Sequence, residues 1–238
     1  SLPAQNLVRE ALERAELVVL QETYADTETA PYADVLLPAA GWGEKEGTVT
    51  NSERRISRVR AAVPAPGKAL PDWRIVCDFA NRLEQKLIGQ PSGRFAFESP
   101  EQIFDEYREL TRGRNTDITG LTYATLETRG PQQWPYRTGM QEGQQRLYED
   151  GTYPTASRRA RFAAVPYKPV AENVDASFPL HLTTGRLRDQ WHGMTRTGRV
   201  ARLWGHTPEP VVSLNPADLA RHGIESGDIV RLESRRGT

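Results

Sequence analysis

Apolar residues recur with a helical period at the start of the chain and then form short runs. Between Leu7 and Ala15 they fall at the spacing of one helix face, and Asn6 stands where a cap is expected. Residues 17–20 and 35–38 are short apolar runs, the second closed by proline, and both are typical of buried strands. A helix, a strand, a loop and a second strand in this order predict an α/β fold.

Two more helices are predicted in the middle of the chain. The first begins around Asp72, a plausible cap, and carries apolar residues at helical spacing from Trp73 to Leu87. Cys77 lies inside it and is predicted to be unreactive core. The second begins at Ser99, with proline at its first position and glutamine three residues on. Residues 112–154 are polar and interrupted by Gly and Pro, which indicates a long ordered connection or a linker.

The last third of the chain is predicted to be rich in strands. Asn215 is the predicted cap of one short helix that ends at Gly223. The predicted strands are residues 159–166, 178–183, 210–214 and 229–232. The predicted fold class is therefore α/β followed by β.

Composition narrows the possible functions and compartments. Among 238 residues, 31 Lys and Arg balance 31 Asp and Glu, so the formal charge is zero. A neutral chain disfavours nucleic-acid binding, because affinity for a phosphate backbone needs a basic surface. The single cysteine excludes an internal disulfide and a cysteine-only cluster within this sequence, and it fits the cytoplasm. No apolar run approaches the roughly 18 residues that span a bilayer, so no membrane segment is predicted.

Two residues of the α/β part are candidates for ligand contacts. Gln21 and Glu22 follow the first predicted strand, and open α/β sheets bind ligands at the carboxyl ends of their strands. A loop carboxylate that faces water is the alternative for Glu22. Lys45 lies in a glycine-rich stretch, residues 41–51, whose glycine spacing fits neither the dinucleotide fingerprint nor the P-loop. The arginine-rich strand after this stretch is equally consistent with a solvated edge.

The densest set of polar groups lies in residues 183–198. This run contains three arginines, several hydroxyls, glycine backbone amides and His192. Guanidinium groups and exposed backbone N–H groups are preferred partners of phosphate oxygens, so the run favours a phosphate-bearing ligand. A polar loop at the edge of a barrel is the alternative. The role of His206 is open, whereas His181 and His222 are predicted to be structural or exposed.

Several blocks of the sequence, in the same order, resemble one family. They read TETAPYADVLLP at 27–38, WGEKEGTVTNSERRIS at 42–57, LTTGRLRDQWHGMTRTG at 182–198, HTPEP at 206–210 and NPAD at 215–218. Together they are similar to the C-terminal part of assimilatory nitrate reductases of the bis-molybdopterin guanine dinucleotide, or dimethyl sulfoxide reductase, superfamily. The resemblance covers most of the chain and is weakest between residues 90 and 130.

The resemblance implies three regions that together clamp a cofactor. Residues 1–95 would be the C-terminal part of an α/β molybdopterin oxidoreductase domain, and residues 96–175 a helix and long ordered connection. Residues 176–238 would begin a double-psi β-barrel that binds the dinucleotide. The implied cofactor is molybdenum bound by two molybdopterin guanine dinucleotides, Mo-bis(MGD).

The resemblance also implies roles for individual residues. Gln21 and Glu22 would meet the nucleotide, and Lys45 would face phosphate or pterin. Asp72 would accept hydrogen bonds from guanine, whose neighbouring N–H donors match two carboxylate oxygens; this role and that of a helix cap are both open. The implied contacts with pterin and pyrophosphate are Thr184, Gly185, Arg186, Arg188, Gln190, Trp191, His192, Gly193 and Thr195.

Some family features are altered or absent in this sequence. Gly193 stands where these reductases often have threonine, and the block around Arg158 departs from the expected Gly-Arg-Ala-Arg-Phe. The cysteines that would bind a 4Fe-4S cluster, and the cysteine that would bind molybdenum, are not in this sequence. We therefore predict no catalytic or metal-binding residue here and expect a fragment of a longer protein.

The activity implied by the resemblance is the reduction of nitrate to nitrite at molybdenum. Electrons would come from ferredoxin or from a flavoprotein or NADH reductase subunit. A formate dehydrogenase of the same superfamily is the nearest alternative, because it shares the cofactor-clamping blocks. A non-catalytic cofactor-binding module without a metal centre is the alternative from another class.

Overall fold

A computed structural model describes residues 4–235 and residue 237. They form two compact units, which we call the N-terminal unit, ending at Ala163, and the C-terminal unit, beginning at Ala164. The N-terminal unit mixes helices with two small sheets, which confirms the α/β prediction at that level. Its elements are α1 (Gln5–Arg14), β1 (Val19–Glu22), β2 (Val35–Pro38), β3 (Gly47–Thr50), β4 (Arg55–Val59), α2 (Asp72–Ile88), α3 (Pro100–Leu110), α4 (Tyr123–Arg129) and β5 (Gln132–Gln133).

The first strand pair is parallel, as the α/β pattern predicts. β1 pairs with β2 in a register that joins Val19 to Val35 and Glu22 to Pro38. The first strand begins two residues later than predicted, because the ladder starts where the Val18 carbonyl accepts the backbone N–H of Val35 at 3.2 Å. The predicted cap at the start of α1 is wrong. Ala4, in a left-handed conformation, precedes the helix without a side-chain cap.

The second sheet is antiparallel, with β4 between β3 and β5. Ile56 of β4 is 3% exposed. The Arg58 guanidinium lies 3.6 Å from the centre of the Tyr123 ring and 3.2 Å from the Glu127 carboxylate. The arginine-rich strand is therefore the central strand of its sheet and not a solvated edge.

Of the two caps predicted for the long helices, one is confirmed and one is wrong. Ser99 precedes α3 and its hydroxyl accepts the backbone N–H of Gln102 at 3.3 Å, as predicted. Asp72 is the first residue of α2, the cap position belongs to Pro71, and no side-chain cap hydrogen bond forms. The Asp72 carboxylate is engaged elsewhere, so its cap role is excluded. Cys77 of α2 is buried, as predicted, and this burial raises the pKa of its thiol.

The core of the N-terminal unit lies where the sequence indicates a connection or linker. Residues 112–154 contain α4 and β5, and Leu121 is fully buried. The apolar face of α2 is instead exposed, with Phe79 at 65% and Leu87 at 72%. The core cluster consists of Ile56, Phe104, Ile118, Leu121, Tyr123, Leu126 and Tyr136.

The C-terminal unit contains α5 (Ala201–Trp204) and α6 (Pro216–His222). The prediction for α6 is confirmed, because the Asn215 side chain accepts the backbone N–H of Ala217 at 2.9 Å. Gly223 ends the helix in a left-handed conformation at φ 64°, which glycine adopts without steric cost.

The strands predicted at 159–166, 178–183, 210–214 and 229–232 do not form in the part of the chain that the structure describes. A strand is stabilised by hydrogen bonds to a neighbouring strand, and an apolar run does not supply that neighbour. The apolar side chains of these segments are accordingly exposed, as in Leu182 at 72% and Val211 at 77%. The C-terminal unit is not rich in strands here, and the double-psi barrel stays a prediction.

Candidate functional site

Three of the predicted contact residues meet at one edge of the parallel strands. Gln21 is the third residue of β1. Asp72 begins α2 two residues after Leu70, which bridges in parallel to Ala39, the residue after β2. The Gln21 amide donates to Asp72 Oδ1 at 2.6 Å, and Lys45 Nζ lies 2.5 Å from Asp72 Oδ2. The fold thus joins residues that are 51 and 27 positions apart in the sequence. We call Gln21, Lys45 and Asp72 the carboxylate cluster.

The carboxylate cluster keeps Asp72 ionised and partly accessible. Burial opposes ionisation of this carboxyl, but hydrogen bonds from Lys45 and Gln21 outweigh it and hold the pKa of Asp72 below its usual 3.8. The Lys45 side chain is 19% exposed and that of Asp72 is 51% exposed. An accessible carboxylate in this position can accept hydrogen bonds from a ligand that carries N–H donors.

A cavity of about 230 Å³ adjoins the carboxylate cluster. Trp42 and Trp73 contribute aromatic surface to it, and the Lys45 ammonium lies 4.9 Å from the centre of the Trp42 ring. A cation and aromatic faces next to a carboxylate suit a planar ring with polar edges. The cavity is lined by Trp42, Lys45, Glu46, Gly47, Thr48, Val59, Asp72 and Trp73.

Glu22 does not join the carboxylate cluster. Successive side chains of a strand point to opposite faces, so Glu22 and Gln21 project from opposite sides of β1. Glu22 Oε1 accepts the backbone N–H of Thr23 at 2.7 Å. Its predicted contact with the nucleotide stays a prediction.

In the C-terminal unit, the predicted contact run from Leu187 onward and the residues after it form turns and short helical segments up to His206. The backbone N–H of Trp191 donates to the Thr197 hydroxyl at 3.0 Å, and that of Gly198 donates to the Met194 carbonyl at 2.8 Å. His192 has a positive φ of 47°, which is uncommon for a residue other than glycine, and its ring meets Trp191 edge-on at 4.5 Å.

Gln190 is the most informative residue of this run. Its side-chain oxygen Oε1 is buried and accepts no hydrogen bond within the described residues. A buried acceptor without a donor costs about 1–3 kcal/mol, so a donor from water or from a ligand would stabilise this site. The other predicted contacts lie at the surface of the unit, and the Arg188 side chain is 94% exposed. Exposed in this way are Thr184, Gly185, Arg186, Arg188, Trp191, His192, Gly193 and Thr195.

Sequence reasoning missed one contact in each unit. His206 Nδ1 lies 2.8 Å from Asp189 Oδ2, a pair 17 residues apart that no periodic pattern marks. Trp42 and Trp73 flank the carboxylate cluster, although Trp73 was predicted only as part of an apolar helix face. Trp73 directly follows Asp72, and Trp42 lies three residues before Lys45. This closeness in the sequence to predicted contact residues was the available signal.

The described residues hold no group of three or more His, Cys, Asp or Glu side chains that could bind a metal ion. Among the helices in the described part of the chain, none has the length and apolar character needed to cross a membrane.

Comparisons with known proteins match both units. Residues 2–82 match the family model described as Molybdopterin oxidoreductase, and residues 180–238 match the one described as Molydopterin dinucleotide binding domain. The carboxylate cluster lies in the first match and the run that contains Gln190 lies in the second.

Curated relatives match nearly the whole chain. A nitrate reductase of Klebsiella oxytoca is 41% identical over 100% of this chain and 27% of the relative, and one of Shewanella frigidimarina is 40% identical over 98% and 26%. An F420-dependent formate dehydrogenase subunit alpha of Methanocaldococcus jannaschii is 38% identical over 97% of this chain and 32% of the relative. The chain spans about a quarter to a third of the length of these relatives. With matches to both family models and to such relatives, the chain belongs to the molybdopterin oxidoreductase family.

Proposed function

We propose that this chain binds the guanine dinucleotide ends of a Mo-bis(MGD) cofactor in an enzyme that reduces nitrate to nitrite. The observation that carries this proposal is the carboxylate cluster. Gln21, Lys45 and Asp72 converge, beside a cavity, at the edge where α/β sheets bind their ligands. Oxygen-atom and electron transfer belong to the molybdenum and its pterins when the cofactor is bound.

The residues present fit this cofactor. Guanine and the pterin both carry N–H donors, and the chain offers acceptors in each unit: the accessible carboxylate of Asp72 and the buried, unpartnered Oε1 of Gln190. A guanine edge that donates to Asp72 would take part of the role that the Gln21 amide and Lys45 now have. Lys45 would then stay close to the ligand as its nearest cation.

The contact run in the C-terminal unit supplies the second half of the proposal. The guanidinium groups of Arg186 and Arg188, the hydroxyls of Thr184 and Thr195 and the backbone amides of the glycines are suited to pyrophosphate oxygens. These residues lie between Thr184 and Thr195 in the sequence, and all of them are exposed. We propose that Trp191 and His192 contact the pterin and that Gly193 allows its close approach.

Finer features of the proposal follow from the family. We propose the domain limits 1–95, 96–175 and 176–238, with a double-psi β-barrel that begins in the last of these. The proposed 4Fe-4S cluster is bound by residues that are not in this sequence, and it receives electrons from ferredoxin or from a flavoprotein or NADH reductase subunit. The proposed compartment is the cytoplasm.

Nitrate is the proposed substrate because the relatives with the highest identities here, at 40–41%, carry the name nitrate reductase. The formate dehydrogenase subunit is close behind at 38%, so formate oxidation is the second candidate. An assay of the purified protein that contains this chain separates them. Nitrite formation from nitrate with a reduced dye supports the first, and dye reduction by formate without nitrite formation overturns it.

Cofactor binding is tested separately, by the amount of guanine nucleotide and oxidised pterin released per protein. Asp72→Ala is expected to lower both at least tenfold, because guanine loses its acceptor. Asp78→Ala is the matched control, since Asp78 lies on the same helix but pairs with Arg74 at 3.1 Å. Equal cofactor content in the two variants would contradict the assignment of the carboxylate cluster.

A further inference from the structure

A further cavity in the described part of the N-terminal unit lies away from the proposed cofactor contacts. Its volume is about 750 Å³, within the range of small-molecule sites. It lies between Asn115, the segment 135–137 and residues 144–158. These residues fall outside both ranges that match family models, 2–82 and 180–238.

One wall of the cavity is aromatic. The rings of Tyr148 and Tyr153 lie 4.9 Å apart, centre to centre, with 32° between their planes. Both side chains are half-buried, and the Tyr148 hydroxyl contacts the Asn115 amide only at 3.5 Å. Such a tilted pair offers apolar ring surface next to polar edges, which suits an aromatic ligand.

Two arginines and two carboxylates line the cavity. They are Arg137, Arg158, Glu149 and Asp150. Within the described residues, neither guanidinium makes a hydrogen bond or a close ion pair, although the pKa of Asp150 is lowered by a hydrogen bond from the Thr152 backbone N–H and further by the charge of Arg158. A ligand that carries both a negative and a positive group can therefore pair with guanidinium and carboxylate groups that form no close ion pair with each other.

The backbone holds two of these residues in an uncommon conformation. Tyr148 and Arg158 both have φ of 58°, in the left-handed region that residues other than glycine rarely adopt. Turns fix them there: the Gly151 N–H donates to the Tyr148 carbonyl at 2.9 Å, and the Tyr153 N–H donates to the Arg158 carbonyl at 3.1 Å. Strain of this kind is concentrated at ligand-binding sites.

From these observations we propose that the cavity binds an aromatic zwitterion, namely a free aromatic α-amino acid. Its ring would lie against Tyr148 and Tyr153, and its carboxylate would meet the guanidinium groups of Arg137 and Arg158. Its ammonium would face the carboxylates of Glu149 and Asp150. This site goes beyond the proposed function, because it shares no residue with the proposed cofactor contacts.

The test is isothermal titration of the purified, cofactor-containing protein with L-tryptophan. Saturable binding with one site per chain is expected. Tryptamine lacks the carboxylate, indole-3-propionate lacks the ammonium and L-alanine lacks the ring, so each is expected to bind at least tenfold more weakly. Absence of saturable tryptophan binding, or equal affinity for tryptophan and tryptamine, would overturn the proposal.

Variants locate the binding. Arg158→Gln is expected to weaken tryptophan binding at least tenfold and to leave tryptamine binding unchanged, because only the carboxylate loses a partner. Arg159→Gln is the matched control, since Arg159 is exposed and does not line the cavity. If Arg158→Gln does not fold, Tyr153→Leu replaces it. This variant is expected to weaken the binding of tryptophan but not that of alanine.

An equal effect of Arg158→Gln and Arg159→Gln, or tryptophan binding unaffected by both Arg158→Gln and Tyr153→Leu, would refute the site. Cofactor content is expected to be the same in all these variants. Failure of this proposal is therefore distinguishable from failure of the proposed function.

Discussion

Arg54 joins the second sheet to the segment that lines the large cavity, and its replacement by methionine tests that arrangement. Its guanidinium donates to the carbonyl oxygens of Trp134, Gln144 and Gln145, the last at 2.7 Å. It also lies 5.2 Å from the centre of the Trp134 ring. Methionine keeps the apolar stem and removes all of these donors.

The expected loss is about 3 kcal/mol of local stability. A hydrogen bond from a charged donor contributes about 1.5–3 kcal/mol. Of the three carbonyl partners, the Gln144 contacts are long, at 3.2 and 3.3 Å, so only those with Trp134 and Gln145 count fully. Taking about 1.5 kcal/mol for each, because exposed carbonyls recover water, gives about 3 kcal/mol.

Hydrogen exchange measures this loss locally, through the backbone amides of Trp134, Tyr136 and Gln144, which donate to Arg54, Asp117 and Pro135 carbonyls. About 3 kcal/mol corresponds to a fall in protection of about two orders of magnitude. Arg54→Lys is expected to lower protection less than Arg54→Met does. An ammonium lacks the planar, forked donors of a guanidinium and cannot bond all three carbonyls.

The matched control is the neighbouring Arg55→Met. Arg55 makes one long hydrogen bond to the Pro131 carbonyl, at 3.3 Å, and its side chain is 42% exposed. A change of no more than about 1 kcal/mol is expected from such contacts. If Arg54→Met lowers protection no more than Arg55→Met does, the proposed role of Arg54 is wrong.

Three further predictions concern the core and the two halves of the candidate site. Leu121→Ala should destabilise the N-terminal unit by about 3–4 kcal/mol in denaturant unfolding, and Leu110→Ala, 64% exposed, by less than about 1; similar losses would contradict the assigned core. Because the pKa of Asp72 is lowered in the folded protein, its contribution is present above its usual 3.8 and is lost as pH falls through the folded value. The difference in melting temperature between wild type and Asp72→Asn should therefore shrink on acidification from about pH 5.5 to about pH 3, and a constant difference would refute this. Gln190→Leu should leave the cofactor-free protein as stable or more stable, because a buried acceptor without a donor is removed, yet lower pterin content; unchanged pterin content would refute the role of Gln190.

Local signals in the sequence predict local structure well. The proline, serine and glutamine at the start of α3 and the asparagine and glycine around α6 define those helices, because caps depend on neighbouring residues. The predicted cap at Asp72 was wrong because contacts over a long distance in the sequence replace the local one. Its carboxylate finds stronger donors in Gln21 and Lys45, which are distant in the sequence.

Long-range packing is what the sequence does not reveal. Residues 112–154 look like a connection because their apolar residues are sparse and aperiodic, yet they form most of the core through contacts with β4 and α3. The apolar runs of the C-terminal unit fail in the opposite way. They predict strands, but in the described residues they find no neighbouring strand to pair with. Of the candidate site, the residue types could be predicted, and the meeting of Gln21, Lys45 and Asp72 could not.

The central claim is that the carboxylate cluster holds a guanine end of the cofactor. An experimental structure of the cofactor-containing protein tests it most directly. The account predicts a guanine base with its N–H donors within hydrogen-bonding distance of the Asp72 carboxylate and with Lys45 beside the ligand. A bound dinucleotide that contacts neither Asp72 nor Lys45 would contradict it.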